Sequence, residues 1–133
     1  MMLTTTEQIH ALAPFTGHVG VRFTEIGTER VVATLEVTEQ RSTVGGALHG
    51  GAQMTLADSA AAVLATVNLP DGATGTVTID SSTHFLGAAR SGVVTATART
   101  LHVGRSTIVL EVDLTAASGK LIARTTQVQA VLR

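Results

Sequence analysis

The sequence predicts an α+β fold in which an antiparallel six-stranded sheet wraps around one long central helix. One segment, 50–68, is long and apolar enough to be that helix. Six other segments alternate apolar and polar residues or are rich in Thr and Val, as strands are. A helix that is apolar nearly all round has to be covered, and an antiparallel meander can cover it only by curving about it.

Length and composition narrow the classes of protein. A chain of 133 residues has the usual size of one domain, so 1–133 is treated as a single domain. Nine basic and ten acidic residues without a Lys/Arg cluster argue against a nucleic-acid partner. The absence of cysteine excludes disulfides, thiolate zinc sites and a cysteine nucleophile. No segment resembles a signal peptide or a membrane span, which predicts a cytoplasmic protein without a membrane partner.

The elements before the long helix are short. Residues 5–12 predict a short N-terminal helix that Thr6 caps and Pro14 ends. The alternation of apolar and polar residues that begins at Val19 then predicts a β-hairpin with its turn at Gly27–Thr28.

The remaining elements are separated by clear turn signals. The glycine-rich stretch Ser42–Gly46 predicts a loop, Gly50–Asn68 predicts the helix, and Leu69–Gly72 predicts the turn that ends it. Everything after this turn is typical of β-structure, and the four predicted strands are 74–85, 92–103, 106–116 and 120–132.

The candidate chemistry lies in the helix and at its start. The helix contains one acid near its middle, Asp58. At 100° per residue, its neighbours on the helix surface are uncharged: Met54, Ala61, Ala62 and Ala65. We therefore expect a poorly solvated carboxylate, which either lowers the stability of the fold or has a function. The alanines leave room beside it for a ligand or a second helix.

The helix begins with His49, Gly50 and Gly51, where backbone amides lack partners and the helix dipole is positive. Glycine lets another molecule approach this backbone, so the amides could hold a developing oxyanion, an interaction typically worth roughly 3–4 kcal/mol. Asp58 follows Gly50 by eight residues, about 12 Å along one helix, too far for one carbonyl to touch both. If both act on one substrate, two chains must form each site, which predicts a homodimer.

These features together resemble a known family. LHGG at 48–51, the nine-residue step from His49 to Asp58, the small residues through Ala65, and the segments THFLGAARSG (83–92) and HVGRS (102–106) carry the resemblance. The chain resembles the hotdog-fold acyl-CoA thioesterases, in the group of PaaI-like, hydroxybenzoyl-CoA and dihydroxynaphthoyl-CoA thioesterases. The resemblance implies hydrolysis of an aryl, phenylacetyl-type or medium-chain acyl-CoA thioester, with no cofactor beyond the coenzyme A of the substrate.

The resemblance also implies catalytic roles. Asp58 would be the general base or nucleophile, and the Gly50 amide, with Gly51, would polarise the thioester carbonyl. His49 would shape the turn or contact the thioester. Thr43 stands six residues before His49, where family members often have Asn or Gln to position the thioester or water. A hydroxyl is shorter than an amide and offers one donor.

Further residues would bind the substrate by the same resemblance. Thr78 would lie near the reacting centre, and His84 would be a core histidine or a neighbour of the pantetheine. At the nucleotide end of coenzyme A, where arginine suits phosphate, the resemblance places Arg90 together with Gly104, Arg105 and Ser106. It further implies a homotetramer, built as a dimer of dimers. His10, His18 and His102 receive no role.

Other classes of protein fit less well. The serine-hydrolase motif G-x-S-x-G does not occur, and neither the P-loop nor the dinucleotide fingerprint is matched. A metal site would require His49, His84 and Asp58 to converge without any short His/Asp spacing, so none is predicted. Two alternatives stay open, a hotdog-fold acyl-CoA hydratase or dehydratase and a non-catalytic acyl-CoA-binding protein. The first would need a second acid/base group, and Thr43 motivates the second.

Overall fold

The computed structural model describes residues 2–133 and contains three α-helices and six strands within that range. The helices are α1 (Thr6–Leu12), α2 (Pro14–Val19) and α3 (Gly50–Val67). The strands are β1 (Arg22–Ile26), β2 (Val31–Glu36), β3 (Gly75–Phe85), β4 (Val93–Val103), β5 (Thr107–Thr115) and β6 (Leu121–Leu132). Two short 3-10 turns, Glu39–Arg41 and Val44–Gly46, occupy the segment before α3.

The strands form one antiparallel sheet in the order β1-β2-β4-β5-β6-β3, with α3 packed against all six strands. This confirms the predicted architecture. The predicted meander is wrong in one respect, because β3 follows the helix in the chain but lies at the far edge of the sheet, beside β6. The segment containing α3 thus connects β2 to the opposite edge.

The N-terminal region differs from the prediction in two ways. The cap of α1 is Thr5, whose side chain accepts a hydrogen bond from the Gln8 amide in a capping box. The Thr6 hydroxyl instead exchanges hydrogen bonds with the backbone of Phe23, which ties α1 to β1. Pro14 starts a second helix rather than only ending the first, since proline suits the first helical position.

The core lies between α3 and the inner, concave face of the sheet. Leu56 and Leu64 of α3 are fully buried there. β5 contributes four aliphatic side chains to the same layer: Ile108, Leu110, Val112 and Leu114. No helix within residues 2–133 is long and apolar enough to cross a membrane.

β3 is an edge strand with large apolar side chains in solvent. Within residues 2–133 it pairs with β6 alone, and its other edge carries no strand. Val77 and Ile79 are 49% and 62% exposed, and the pairing with β6 shifts register between Thr78 and Asp80. The single chain therefore leaves a long, partly apolar edge uncovered.

Candidate active site

A tight glycine loop sets the position where α3 begins. Gly45 and Gly46 adopt φ of 85° and 82°, a conformation that side chains rarely allow. The Thr43 amide donates to the Ala47 carbonyl at 2.8 Å, which closes the loop. Thr43 itself is exposed, and its backbone rather than its side chain makes these contacts. The loop thus delivers the chain to the helix start in a fixed direction.

The His49 side chain caps α3. Its Nδ1 accepts a hydrogen bond from the Gly51 amide at 2.8 Å. In a neutral imidazole with Nδ1 as acceptor, the ring hydrogen lies on Nε2, which can donate to a ligand. The Gly51 amide is therefore occupied within the chain, which leaves the Gly50 amide as the better placed of the two predicted donors. His49 shapes the helix start, as one of its two predicted roles requires.

The Gly50 amide remains available at the helix start, because it donates no hydrogen bond to another residue of 2–133. The ring of Phe85 lies against Gly50, and a Cβ placed on this glycine would be 3.4 Å from two ring carbons. Phe85 is half exposed. The free amide at the positive end of the helix dipole is thus bordered by one apolar wall.

The carboxylate of Asp58 is held by a glutamine that the sequence analysis missed. Gln127 Nε2 donates to Asp58 Oδ1 at 2.6 Å. Asp58 Oδ2 accepts no hydrogen bond from residues 2–133. Gln127 lies on β6 and is fully buried. One carboxylate oxygen is therefore fixed to the sheet, and the other is free for a ligand.

Thr78 belongs to the same hydrogen-bonded group. Its Oγ1 accepts from Gln127 Nε2 at 2.9 Å and from Gln129 Nε2 at 2.8 Å. With two donors on this oxygen, its own hydrogen is left to point elsewhere. The structure therefore brings Thr78 and Asp58 together through Gln127, at the inner face beside the edge strand.

Asp58 is exposed in the single chain, so the expectation of a poorly solvated acid is wrong for one chain alone. Ala61 and Ala65, close to it on the helical projection, are fully buried, whereas Met54 is 42% exposed. The face of α3 that carries Asp58 is therefore covered near the C-terminal end of the helix and exposed at the middle of the helix. Helical periodicity fixes which residues are neighbours, and the rest of the fold decides which of them are covered.

Two neighbouring cavities adjoin this open part of α3. The smaller, of about 390 Å³, is lined by Asp58 with Ser81 of β3. The larger, of about 810 Å³, is lined by His49 and Gly51 at the helix start. Phe15 and Thr55 line both cavities. The acid and the helix start therefore face adjoining spaces.

The predicted coenzyme A contacts fall at opposite ends of the sheet. Arg90 Nε donates to the Gly45 carbonyl at 3.3 Å, so it lies beside the glycine loop. Gly104, Arg105 and Ser106 form the turn after β4. The eleven residues of β4 separate the two regions by about 36 Å. One chain therefore does not bring Arg90 and Arg105 to the same part of a ligand.

His84 is exposed on the outer, convex face of the sheet, away from Asp58, so it is not a core histidine, which was one of its two predicted roles. Adjacent residues of a strand point to opposite faces, and the preceding residue, Thr83, is on the inner face, where its hydroxyl is 2.8 Å from that of the buried Thr125. The partner of His84 across the strands is Arg124 on the outer face. The Arg124 guanidinium binds Asp113 at 2.6 Å and holds the pKa of that carboxyl below its usual range, through a hydrogen bond first and charge second.

The described residues contain no group of three or more His, Asp or Glu side chains placed to hold a metal ion.

Comparison with known proteins gives one consistent result. Residues 45–123 match the thioesterase superfamily. A 1,4-dihydroxy-2-naphthoyl-CoA hydrolase from Listeria monocytogenes is 34% identical over 105 residues, covering 78% of this chain and 84% of that protein. A thioesterase structure from Haemophilus influenzae has a TM-score of 0.90 at 25% identity, covering 100% of this chain and 93% of that one. A hypothetical thioesterase protein with coenzyme A, from Streptococcus pneumoniae, has a TM-score of 0.80 at 26% identity, covering 94% of each chain.

Proposed function

Because this chain belongs to the thioesterase superfamily and is a thioesterase, we propose that it hydrolyses an acyl-CoA thioester to a free acid and coenzyme A, using Asp58. The observation that carries the proposal is the carboxylate of Asp58, which lines a cavity with Oδ2 free while Gln127 holds Oδ1. A base or nucleophile needs such a free oxygen within reach of the substrate.

In the proposed reaction the thioester carbonyl accepts a hydrogen bond from the Gly50 amide, which stabilises the negative charge that develops on its oxygen. Asp58 Oδ2 either takes a proton from a water that attacks the carbonyl carbon or attacks that carbon itself. The C–S bond then breaks. In the first route the protonated Asp58 returns its proton to the leaving sulfur, and in the second coenzyme A leaves as a thiolate that takes a proton from solvent. In the second route, water hydrolyses the resulting anhydride and regenerates the carboxylate.

We also propose that each site is formed by two chains. Gly50 and Asp58 are separated by eight residues of α3, about 12 Å, which no single carbonyl can span. A second copy with its helix running in the opposite direction would bring one chain's Gly50 to the other's Asp58. The uncovered edge of β3 supports this assembly, since an unpaired apolar edge favours strand pairing. A dimer of dimers would follow from the family resemblance.

The acyl group is proposed to be an aryl group or a medium-length chain. The 34% identical relative that is named for a dihydroxynaphthoyl thioester supports the aryl choice. The cavity of about 810 Å³ beside the helix start offers space of the size that small-molecule sites usually have. The coenzyme A in the Streptococcus pneumoniae neighbour supports that thioester over one on a carrier protein.

The test is release of free thiol from a panel of phenylacetyl, hydroxybenzoyl, dihydroxynaphthoyl and straight-chain acyl-CoA thioesters. We expect Asp58→Asn to lower kcat by about 10²–10⁴-fold, with binding of coenzyme A thioesters retained. Asp113→Asn, an acid replaced on the opposite face of the sheet, is the matched control and should keep full turnover. Turnover unaffected by Asp58→Asn would contradict the assigned role.

A further inference from the structure

We infer that Gln127 is a positioning residue that aims the carboxylate of Asp58 at the substrate. This inference rests on the proposed function. Gln127 Nε2 makes the contact with Asp58 Oδ1 at 2.6 Å, and among residues 2–133 no other side chain donates a hydrogen bond to this carboxylate. Without that contact, an exposed Asp side chain on a helix would be free to rotate between rotamers.

Gln127 is itself held rigidly. Its side chain is fully buried on the inner face of β6. The second hydrogen of its amide goes to Thr78 Oγ1 at 2.9 Å. One planar amide therefore fixes the distance and the angle between Asp58 and Thr78, the two polar groups that it joins at the site.

The amide oxygen of Gln127 supports the same inference. This Oε1 atom is buried and has no hydrogen-bond partner within residues 2–133. A buried acceptor without a partner costs stability, and such atoms are uncommon in folded proteins. Turning the amide over would place the oxygen against Asp58 Oδ1 and would remove both donated hydrogen bonds. An apolar side chain of the same length would avoid the cost, so packing alone does not account for a glutamine here.

Two substitutions of nearly unchanged shape separate positioning from packing. Gln127→Met keeps the length and removes both donated hydrogen bonds. Gln127→Glu keeps the shape but replaces the donating nitrogen by an oxygen that repels Asp58. The matched control is Thr125→Val. Thr125 lies two residues before Gln127 on the same face of β6, and the substitution removes its hydrogen bond to Thr83 on β3.

We expect Gln127→Met to lower kcat roughly 10²-fold, as a misplaced catalytic group does, while KM stays within about twofold. Gln127→Glu should lower kcat at least as much. Binding of a non-hydrolysable acyl-CoA thioether should be unchanged in both. The melting temperature of Gln127→Met should match or exceed that of Thr125→Val, whereas Gln127→Glu buries a carboxylate beside Asp58 and should melt at a lower temperature. Thr125→Val should keep the kcat of the wild type. A Gln127→Met protein with wild-type kcat, or one whose loss of activity follows its loss of folded protein, would overturn the inference.

A measurement that needs no turnover keeps this inference distinct from the proposed function. The side-chain amide of Gln127 gives its own NMR signals, which a bonded carboxylate displaces. Asp58→Ala should move these signals, while Asp113→Ala on the outer face should leave them in place. Unmoved signals in Asp58→Ala would overturn the inference. Moved signals together with a wild type that releases no thiol would support the contact and reject the proposed hydrolysis.

Discussion

β5 and β6 are neighbouring strands under the same helix, yet their inner faces are built from different chemistry. The inner face of β5 is aliphatic, with Ile108, Leu110, Val112 and Leu114 all 0% exposed. The inner face of β6 is largely polar at the same depth, with Ala123, Thr125, Gln127 and Gln129 at most 1% exposed. Depth of burial therefore does not distinguish them. The two strands differ in their neighbours, because β5 lies between β4 and β6, whereas β6 lies between β5 and the edge strand β3.

The polar side chains of β6 bond outward, toward the edge. Thr125 contacts Thr83, Gln129 contacts Thr78, and Gln127 contacts both Thr78 and Asp58. Three of these four contacts thus go to groups on the edge strand β3, and the fourth goes to Asp58, which lines the cavity. β5 contributes packing and β6 contributes placement, so stability and chemistry should respond separately to substitutions on adjacent strands.

The largest expected effect on stability is on the β5 side. Leu110→Ala removes a fully buried side chain and should lower the free energy of unfolding by about 2–5 kcal/mol, because a cavity remains. Chemical denaturation measures this loss. The kcat of the protein that stays folded should equal that of the wild type. A large fall in kcat without a loss of stability would break the separation between the two strands.

Gly50→Ala should show the reverse behaviour on the site side. Its methyl group would contact the Phe85 ring at 3.4 Å, an ordinary distance, and alanine favours a helix more than glycine does. We therefore expect an unchanged or higher melting temperature, with kcat lowered roughly 10²-fold because the methyl group blocks approach to the amide. Gly51→Ala makes a useful contrast, since its Cβ would lie 3.0 Å from His49 Nδ1 and disturb the cap. Unchanged kcat in Gly50→Ala would remove this amide from the mechanism.

Gln129→Leu makes β6 more like β5 at one position and should have a smaller effect. It removes one hydrogen bond to Thr78, so the free energy of unfolding should change by no more than about 1 kcal/mol. Thr78 then loses one of its two donors, and kcat/KM should fall roughly threefold to tenfold. Steady-state kinetics beside a denaturation curve measures both effects. A loss of stability as large as that of Leu110→Ala would show that the side chain of Gln129 also stabilises the fold by packing in the core.

The smallest effect is expected on the outer face, where Asp113 pairs with Arg124 in solvent. Because the pair holds the pKa of Asp113 below its usual range, it stabilises the fold at pH values above the usual Asp range, near 3.9. This contribution disappears as the pH falls through the lowered folded-state pKa. Asp113→Asn should therefore lower Tm by no more than about 3 °C at neutral pH, with the difference vanishing in acid. A difference that grew on acidification would contradict the assigned sign.

Most of the fold could be predicted from the sequence because turn signals mark its boundaries. The predicted bounds of the long helix and of the last four strands agree with the structure to within one residue at every end. The place of β3 at the far edge could not be predicted, since local patterns define strands but not which strands pair. Near the N-terminus, Pro14 was taken only as a helix end, although proline equally suits a helix start.

The site was predicted only in part, for a similar reason. Asp58 and Gly50 of the candidate site were predicted because an acid in a helix of small residues and glycines at a helix start are unusual. Gln127 was missed because the alternation in β6 places Val128 on the face opposite to the glutamines, and an apolar residue normally marks the buried face. The structure buries the glutamines instead. The available signal was two glutamines at i and i+2 in a strand otherwise rich in Thr and Val.

The uncovered edge of β3 also matters for how the protein is made. A newly folded chain presents eleven residues of strand whose outer backbone groups await a partner, with Val77 and Ile79 beside them in water. Such an edge is a template for pairing with other extended segments, including those of incompletely folded copies of the chain. If the edge pairs with a second copy, as proposed, the yield of folded protein depends on how fast this pairing occurs relative to aggregation. A charged residue at Ile79 would disfavour strand pairing at this edge and would therefore slow both processes.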